Sequence, residues 1–378
     1  MLYFRCDECG GYFELGTEEN TTAGRSLCAT CAEEHTFVCE DCGCRHERAE
    51  HEHHLDRNGR IICDLCVTGY STCDCCGRLF RNSDIHLTAG GRFCWSCSAY
   101  NSGRSIMSYG FKPEPVFHDL EGAEPTGLYL GVELEMDYGN AEAAAKRIND
   151  TYGHQLLYFK HDGSLDDGCE LVTHPMSPEY MMSDDGKAMW RDICRQALAE
   201  GMRSHDTDTC GLHIHVSRDF FGKSKHLQEL AELKLIETVD RLFEPIVLFS
   251  RRKRHNIDRW APKCNAPKFD DGWVKKAERV SSFAKRDRYH AINITNSATI
   301  EFRLFRGTLK AETILATLQF VTGLCHLVKA SNPSQMERIC WYDLCDAVME
   351  HCPVDTAELY EYLVERELIV PKGDTQCA

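Results

Sequence analysis

Apolar and charged positions alternate in four short stretches of the second half of the chain. They are Gly131-Val-Glu133-Leu-Glu135-Met-Asp137, Gly211-Leu-His213-Ile-His215-Val, Ile300-Glu301-Phe-Arg303-Leu-Phe-Arg306, and the segment from Asp162-Gly-Ser164 to Glu170-Leu-Val-Thr-His174. Successive side chains of a strand point to opposite faces. Glu133 and Glu135 therefore share one face, while Val132, Leu134 and Met136 share the other. His213 pairs with His215, and Glu301 with Arg303, in the same way. An isolated buried charge is very costly. Several such strands side by side imply a sheet with one face on an apolar core and the other lined by carboxylates, imidazoles and guanidinium groups. Asp137, at its strand end, is expected to be simply exposed.

The pattern between these stretches is mixed. A helix is predicted over 140–152 with Asn140 as its cap, and short strands near 156–160 and 169–174. A helix over 187–201 ends near Gly201, and strand 211–217 follows. Leu227, Leu230, Leu233, Leu235 and Leu242 mark one long helix over 224–249. Strands 289–295 and 299–306 are joined by Asn296-Ser297-Ala298, a hairpin signal. Helices fill the tail, about 311–366. Without regular βαβ alternation, the class expected is α+β with an antiparallel sheet and packed helices.

The first 97 residues differ. They hold 14 of the 23 cysteines, mostly as Cys-x-x-Cys pairs: Cys6/Cys9, Cys28/Cys31, Cys39/Cys42, Cys63/Cys66, Cys73/Cys76 and Cys94/Cys97. The gaps alternate between 18, 20 and 17 residues within a unit and 7 and 6 between units. That makes three copies of Cys-x2-Cys-x(17–20)-Cys-x2-Cys, each sufficient for one closed, structural zinc site. Gly10, Gly43 and Gly77 follow the first pairs, where a knuckle needs positive φ. Gly24-Arg25, Gly59-Arg60 and Gly91-Arg92 precede the second pairs, so a repeat near 34 residues is visible. Units this small bury little apolar surface, and the metal would stabilise them directly. Cys44 and Cys75 read as bystanders, and His46, His51, His53 and His54 as a solvated loop. The organisation expected is zinc-ribbon or treble-clef-like modules over 1–100, a linker over 101–126 containing Pro113, Pro115 and Pro125, and a catalytic domain over 127–378.

Charge narrows the partners. The chain of 378 residues carries a net −16, and residues 1–100 contain nine Arg, no Lys and sixteen acids. Nucleic-acid binding requires a basic footprint, so protein docking or substrate presentation suits the zinc modules better. Residues 251–288 run the other way, with thirteen Lys or Arg against five acids; they read either as a mobile lid that attracts anions or as a solvated loop. No apolar run is seen that approaches the ~20 residues of a membrane span, and the N-terminus does not read as a signal peptide. A cytoplasmic location and no membrane partner are the expectations.

Glu133-x-Glu135 is a donor pair for a hard cation such as Mg2+ or Mn2+, or else an exposed strand with solvated glutamates. His213-x-His215 suits a metal, a phosphate or a satisfied core pair. Glu301-x-Arg303, with Arg306 beyond, combines a metal ligand with cations for phosphate or carboxylate, or forms a structural ion pair. Asp162 and Glu170 are by default a turn residue and an exposed acid. Neither a Gly-x4-Gly-Lys-Ser/Thr nor a Gly-x-Gly-x2-Gly motif is present, so a nucleotide would bind without a phosphate loop.

These motifs together resemble the phage and bacterial amidoligases, carboxylate–amine ligases with a glutamine-synthetase-like fold. The resemblance covers about residues 127–330. It rests on Gly131-Val-Glu-Leu-Glu135, on Asp162-Gly-Ser-Leu165 with Glu170-Leu-Val-Thr-His-Pro175, on Cys210-Gly-Leu-His-Ile-His-Val-Ser217, and on Ile292-Asn-Ile-Thr-Asn296 with Thr299-Ile-Glu-Phe-Arg-Leu-Phe-Arg-Gly-Thr308. The resemblance implies an ATP-dependent reaction in which a carboxylate becomes an acyl phosphate and an amine then forms the amide. Glu133, Glu135, Glu170 and Glu301 would hold Mg2+, and His213 or His215 would contact metal or phosphate. Arg303 and Arg306 would bind phosphate or the substrate carboxylate, and Asp162 would bind metal or help deprotonate the amine. The substrates would be a carboxylate and an amine, free or within a peptide or protein. Two other readings stand beside it: a metallohydrolase with zinc on His213, His215 and a glutamate, and a non-catalytic zinc-module adaptor.

Overall fold

The structure, a computed structural model, describes residues 2–88, 91–100, 103–124, 126–269 and 271–371. Pro125 of the expected linker lies outside the described residues. The chain divides into two compact units, Met1–Arg104 and Ser105–Ala378.

The first unit is a string of two-stranded hairpins, such as Tyr3–Arg5 with Tyr12–Glu14 and Thr36–Val38 with Arg45–Glu47. Each repeat builds its own small core around its cysteines. Leu27 packs with Cys6 and Cys28, Phe37 with Cys39 and Cys63, and Phe80 and Phe93 with Cys73 and Cys94.

The second unit is α+β. Its seven strands are β1 (Ile106–Met107), β2 (Leu130–Met136), β3 (Leu157–Lys160), β4 (Cys169–Thr173), β5 (Gly211–Ser217), β6 (Ile292–Asn293) and β7 (Thr299–Arg306). The sheet order is β1-β3-β4-β2-β5-β7-β6. All neighbours are antiparallel except β1 and β3, which are parallel. The apolar alternates pack as expected: Val132, Leu134, Leu171, Leu212, Ile214 and Phe302 are all at most 1% exposed.

The helices agree with the apolar periodicity except where local chemistry overrides it. Asn140 caps α1 (Ala141–Tyr152) by accepting the Ala143 N–H. Ser183 caps α2 (Asp184–Ala199) through the Gly186 N–H, which starts this helix earlier than its apolar pattern suggests. The single helix expected over 224–249 is two, α3 (Lys225–Arg241) and α4 (Phe243–Ser250). Pro245 has no N–H to continue the ladder, so the chain turns at Leu242. The basic segment is not a solvated loop. It contains α5 (Arg254–Trp260) and α6 (Trp273–Ala284), and Ala277, Val280 and Ala284 of α6 are buried. Residues 106–107, expected within a linker, form β1, and Phe111 behind them is buried. Further along, the Val116 N–H donates to His174 Nδ1 at 3.1 Å, and the His118 ring meets the Gln155 carbonyl at 2.8 Å. A polar sequence with two prolines here is an edge covering held by side-chain hydrogen bonds.

One apolar stretch is longer than the sequence pattern suggests. α7 (Ala311–Ala330) is long and apolar enough to cross a membrane by length and composition, but 89% of that stretch is buried inside the protein. It is the core helix, against which α8 (Trp341–His351) and α9 (Ala357–Glu365) pack. Gly323 permits the closest approach, since a Cβ there would lie 2.1 Å from the Val348 carbonyl oxygen. Gly323→Ala should therefore lower stability by about 1–3 kcal/mol through overpacking. Urea unfolding would show this as a lower midpoint at unchanged slope.

Candidate active site and metal centres

The cysteine sets come together as the spacing predicts. In Cys6/Cys9/Cys28/Cys31, Cys39/Cys42/Cys63/Cys66 and Cys73/Cys76/Cys94/Cys97 the sulfurs lie within 4.8 Å of one another. The three sites share one local construction. Gly10, Gly43 and Gly77 have φ near +70°, and each donates its N–H to the carbonyl of the first cysteine. The Cys28, Cys63 and Cys94 N–H groups point at Sγ of Cys6, Cys39 and Cys73, each at 3.3 Å. Burial pushes the Cys6 thiol up, but the N–H groups of Cys28, Cys9 and Glu8 outweigh it and bring it down to about 6. Four converging sulfurs, with N–H groups aimed at one of them in each set, fit tetrahedral zinc.

His46 departs from the solvated-loop expectation: it is only 2% exposed. It stacks on Phe37, meets His51 edge-on, and places Nε2 3.7 Å from Cys42 Sγ. It follows Cys42 by four residues, as Phe13 follows Cys9 and Phe80 follows Cys76, so it occupies an aromatic position of the repeat. Elemental analysis should find three zinc equivalents per chain. Cys63→Ser should reduce this to two, and a strong chelator should unfold the first unit.

In the second unit the register of the sheet assembles the polar residues in rows. One row runs Lys160, Glu170, Glu135 and Gly211 across β3, β4, β2 and β5. The next places Glu133 opposite His213. The third runs Gly131, His215, Glu301 and Asn293 across β2, β5, β7 and β6. Glu133 lies between the two imidazoles. His215 Nε2 is 3.3 Å from Oε1, and His213 Nδ1 is 3.4 Å from Oε2. Glu301 lies 3.6 Å from His213, takes a bond from Asn293 Nδ2 at 2.7 Å and is paired with Arg303. Lys160 Nζ lies 2.8 Å from Glu170. The Glu135 carboxylate accepts the Gly211 N–H. A Cβ on Gly211 would lie 2.8 Å from His213 Nε2, which is why this position of the Cys210-Gly211 motif admits no side chain.

The titration follows from this packing. Burial raises Glu133, but His215 and His213 outweigh it and hold the carboxyl well below the usual range. Glu301 is lowered by the same histidines and Arg303 against its burial. His215 is held up by Glu133 despite burial. Burial keeps Glu135 raised, and burial with Glu133 nearby raises Glu170. Burial drags Arg252 down to about 10. The face thus contains carboxylates held ionised by histidine and others held back from ionising by their low-dielectric setting.

Eight of the sequence-predicted residues line one cavity of about 840 Å³: Glu133, Glu135, Asp162, Glu170, His213, His215, Glu301 and Arg303. Asp162 stands in its predicted turn, where Oδ1 accepts the Ser164 N–H at 2.8 Å. Arg306 is not among the lining residues. An irregular register between β5 and β7 at Leu212/Ile214 places it opposite Gly211 at the strand end. Asp137 is not exposed: at 1% exposure it accepts N–H groups of Asp166 and Asp167 and the Thr209 hydroxyl, tying down the loop that carries Asp162.

Sequence reasoning missed part of the wall. Lys160 joins the carboxylate row, and its signal was the alternation of Leu157-Tyr158-Phe159-Lys160. Arg252, Trp260, Arg288 and Tyr289 also line the cavity. Arg252, Trp260 and Arg288 come from the basic segment, whose composition announced charge but not placement, and Tyr289 follows it directly.

Comparison with known proteins adds one positive finding. Residues 155–325 match the family described as "Putative amidoligase enzyme". No curated protein matches the chain. Among solved structures, a bifunctional glutathione synthetase from Pasteurella multocida aligns at 11% identity and TM-score 0.36, over 63% of this chain and 46% of that one. A structure described as apo GmaS without ligand aligns at 12% identity and TM-score 0.32, over 67% of this chain and 74% of that one. Likenesses this partial carry no argument about the fold, which rests on the sheet itself. The family match contains three of the four motifs and much of the cavity wall, so over residues 155–325 this chain is similar to the amidoligases, the family that its motifs resemble.

Proposed function

We propose that the second unit is an ATP- and Mg2+-dependent ligase that joins a carboxylate to an amine through an acyl phosphate. The three zinc modules of the first unit would dock a partner or present a substrate. The amidoligase match supports an amide-bond-forming ligase. The observation that carries the finer reading is Glu133, shared between His213 and His215 and flanked by Glu170 and Glu301, in a cavity whose other residues include Lys160, Arg252, Arg288 and Arg303. Forming an acyl phosphate brings two anions together, and a site must offset their repulsion with cations fixed in advance.

The donor sets Glu133/His215/Glu301 and Glu133/Glu170/His213 fit a divalent cation, since in each the donor atoms lie within 4.8 Å of one another. Such ions, when bound, supply charge neutralisation for the nucleotide phosphates. Arg303, held against Glu301 and 5.8 Å from the Tyr289 ring, presents a fixed guanidinium to phosphate or carboxylate oxygens. Trp260 and Tyr289, with ring centroids 5.7 Å apart, offer flat apolar surface within the same cavity. Asp162, on the loop anchored by Asp137, would accept a proton from the attacking ammonium so that a neutral amine reacts.

Calorimetry with a non-hydrolysable ATP analogue tests this without knowledge of the substrate. Binding should depend on Mg2+ and weaken at least about tenfold in Glu133→Gln, a loss of about 1.4 kcal/mol. Absence of binding by folded, zinc-loaded protein overturns the ligase reading. The pH dependence has a definite sign. Glu135 and Glu170 are held above the usual carboxylate range, so protons compete with metal. Affinity for Mn2+ should rise between pH 6 and 9, with proton release visible in buffers of different ionisation enthalpy.

A further inference from the structure

Lys160 is the cavity cation paired with Glu170. Its Nζ lies 2.8 Å from Glu170 Oε2, with side-chain exposures of 13% and 3%. The register Lys160, Glu170, Glu135 places the ammonium at the end of a row with two carboxylates directly opposite each other. Like charges in that relation repel. Glu170 is also a member of the donor set Glu133/Glu170/His213. The histidine of that set is 4% exposed, and its Nε2 has no hydrogen-bond partner among the described residues. The set therefore holds an imidazole nitrogen without a hydrogen-bond partner and a carboxylate oxygen at ion-pair distance from a lysine. In the other set, Glu133/His215/Glu301, the cation on Glu301 is Arg303, and no lysine is paired with its carboxylates among the described ion pairs.

We infer that Lys160 is a tethered cation that occupies the place of a divalent ion at Glu133/Glu170/His213 until a nucleotide phosphate draws it away. The inference rests on the ligase reading for its second half only. A lysine with four rotatable bonds can leave Glu170 and turn into the cavity that it already lines. A phosphate oxygen would compensate the ammonium there. Glu170 would then be free to join Glu133 and His213 around an ion. Metal and nucleotide would each favour the other, as any two ligands that bias one two-state element must. Without nucleotide, the lysine prevents two divalent ions and a ring of carboxylates from assembling with no phosphate to bridge them.

The test is Mn2+ binding to the whole, zinc-loaded chain, followed by calorimetry and by the paramagnetic resonance of free Mn2+. All variants are compared at one and the same pH, so that proton competition is common to them. Without nucleotide, wild type should bind one Mn2+ and Lys160→Met should gain a second, tenfold or more tighter than any second site of wild type. Lys160→Arg, which keeps the charge, should behave like wild type and controls for folding. With the non-hydrolysable ATP analogue, wild type should take up the second Mn2+, and the dependence of that site on analogue should fall at least tenfold in Lys160→Met. Equal Mn2+ stoichiometry and affinity in wild type and Lys160→Met without nucleotide overturns the inference. Failure of the analogue to bind wild type overturns the ligase reading while leaving the nucleotide-free comparison to decide the role of Lys160.

Discussion

Everything in the second unit is organised around one electrostatic problem. Four glutamates stand on one face of a sheet whose other face must be dry. Glu135, Glu170 and Glu301 are at most 5% exposed, and uncompensated carboxylates at such depth would neutralise or unfold the site. The sheet meets this by placing every carboxylate beside a nitrogen. Glu133 has two imidazoles, Glu301 an arginine and an asparagine, Glu170 a lysine, and Glu135 a backbone N–H. The compensation is enough to hold the fold but leaves donor atoms over, which suits a surface prepared for added cations and anions.

The surrounding structure keeps that face in register. Arg218, just beyond β5, pairs with the fully buried Glu232 of α3 and donates to the carbonyls of Ile294, Asn296 and Thr299. It thereby fixes the turn between β6 and β7, from which Asn296 and Ser297 reach the cavity. Asp137 performs the equivalent task for the Asp162 loop through backbone N–H groups. In both cases a buried charge is spent on holding loop backbone, the element least able to hold itself. The first unit solves its stability differently. Its cores are a few side chains around each cysteine set, so cross-linking by a metal on those cysteines would stand in for apolar burial.

The alternating strands, the Asn140 cap, the hairpin turn and the twelve cysteines were legible in the chain because each depends on neighbours within a few residues or on a fixed spacing. The same locality explains the failures. Asp137 reads as a strand-end acid until the 166–167 backbone folds over it. The run 106–107 looks like linker because a two-residue strand has no period to detect. His46 reads as one of four loop histidines until Phe37 and His51 pack on it.

By itself, the order of residues determined which side chains share a face: period 2 put Glu133 with Glu135 and His213 with His215, and the Cys-x2-Cys spacing put four sulfurs within reach of one centre. Tertiary structure alone decided which faces meet. Register paired Glu133 with His213 and Glu170 with Lys160, and the fold of the basic segment brought Arg252 and Trp260 to the same cavity. The reason is physical. Periodicity follows from backbone geometry and is local, whereas pairing across strands is set by the burial of the opposite, apolar face, which no short stretch of sequence contains.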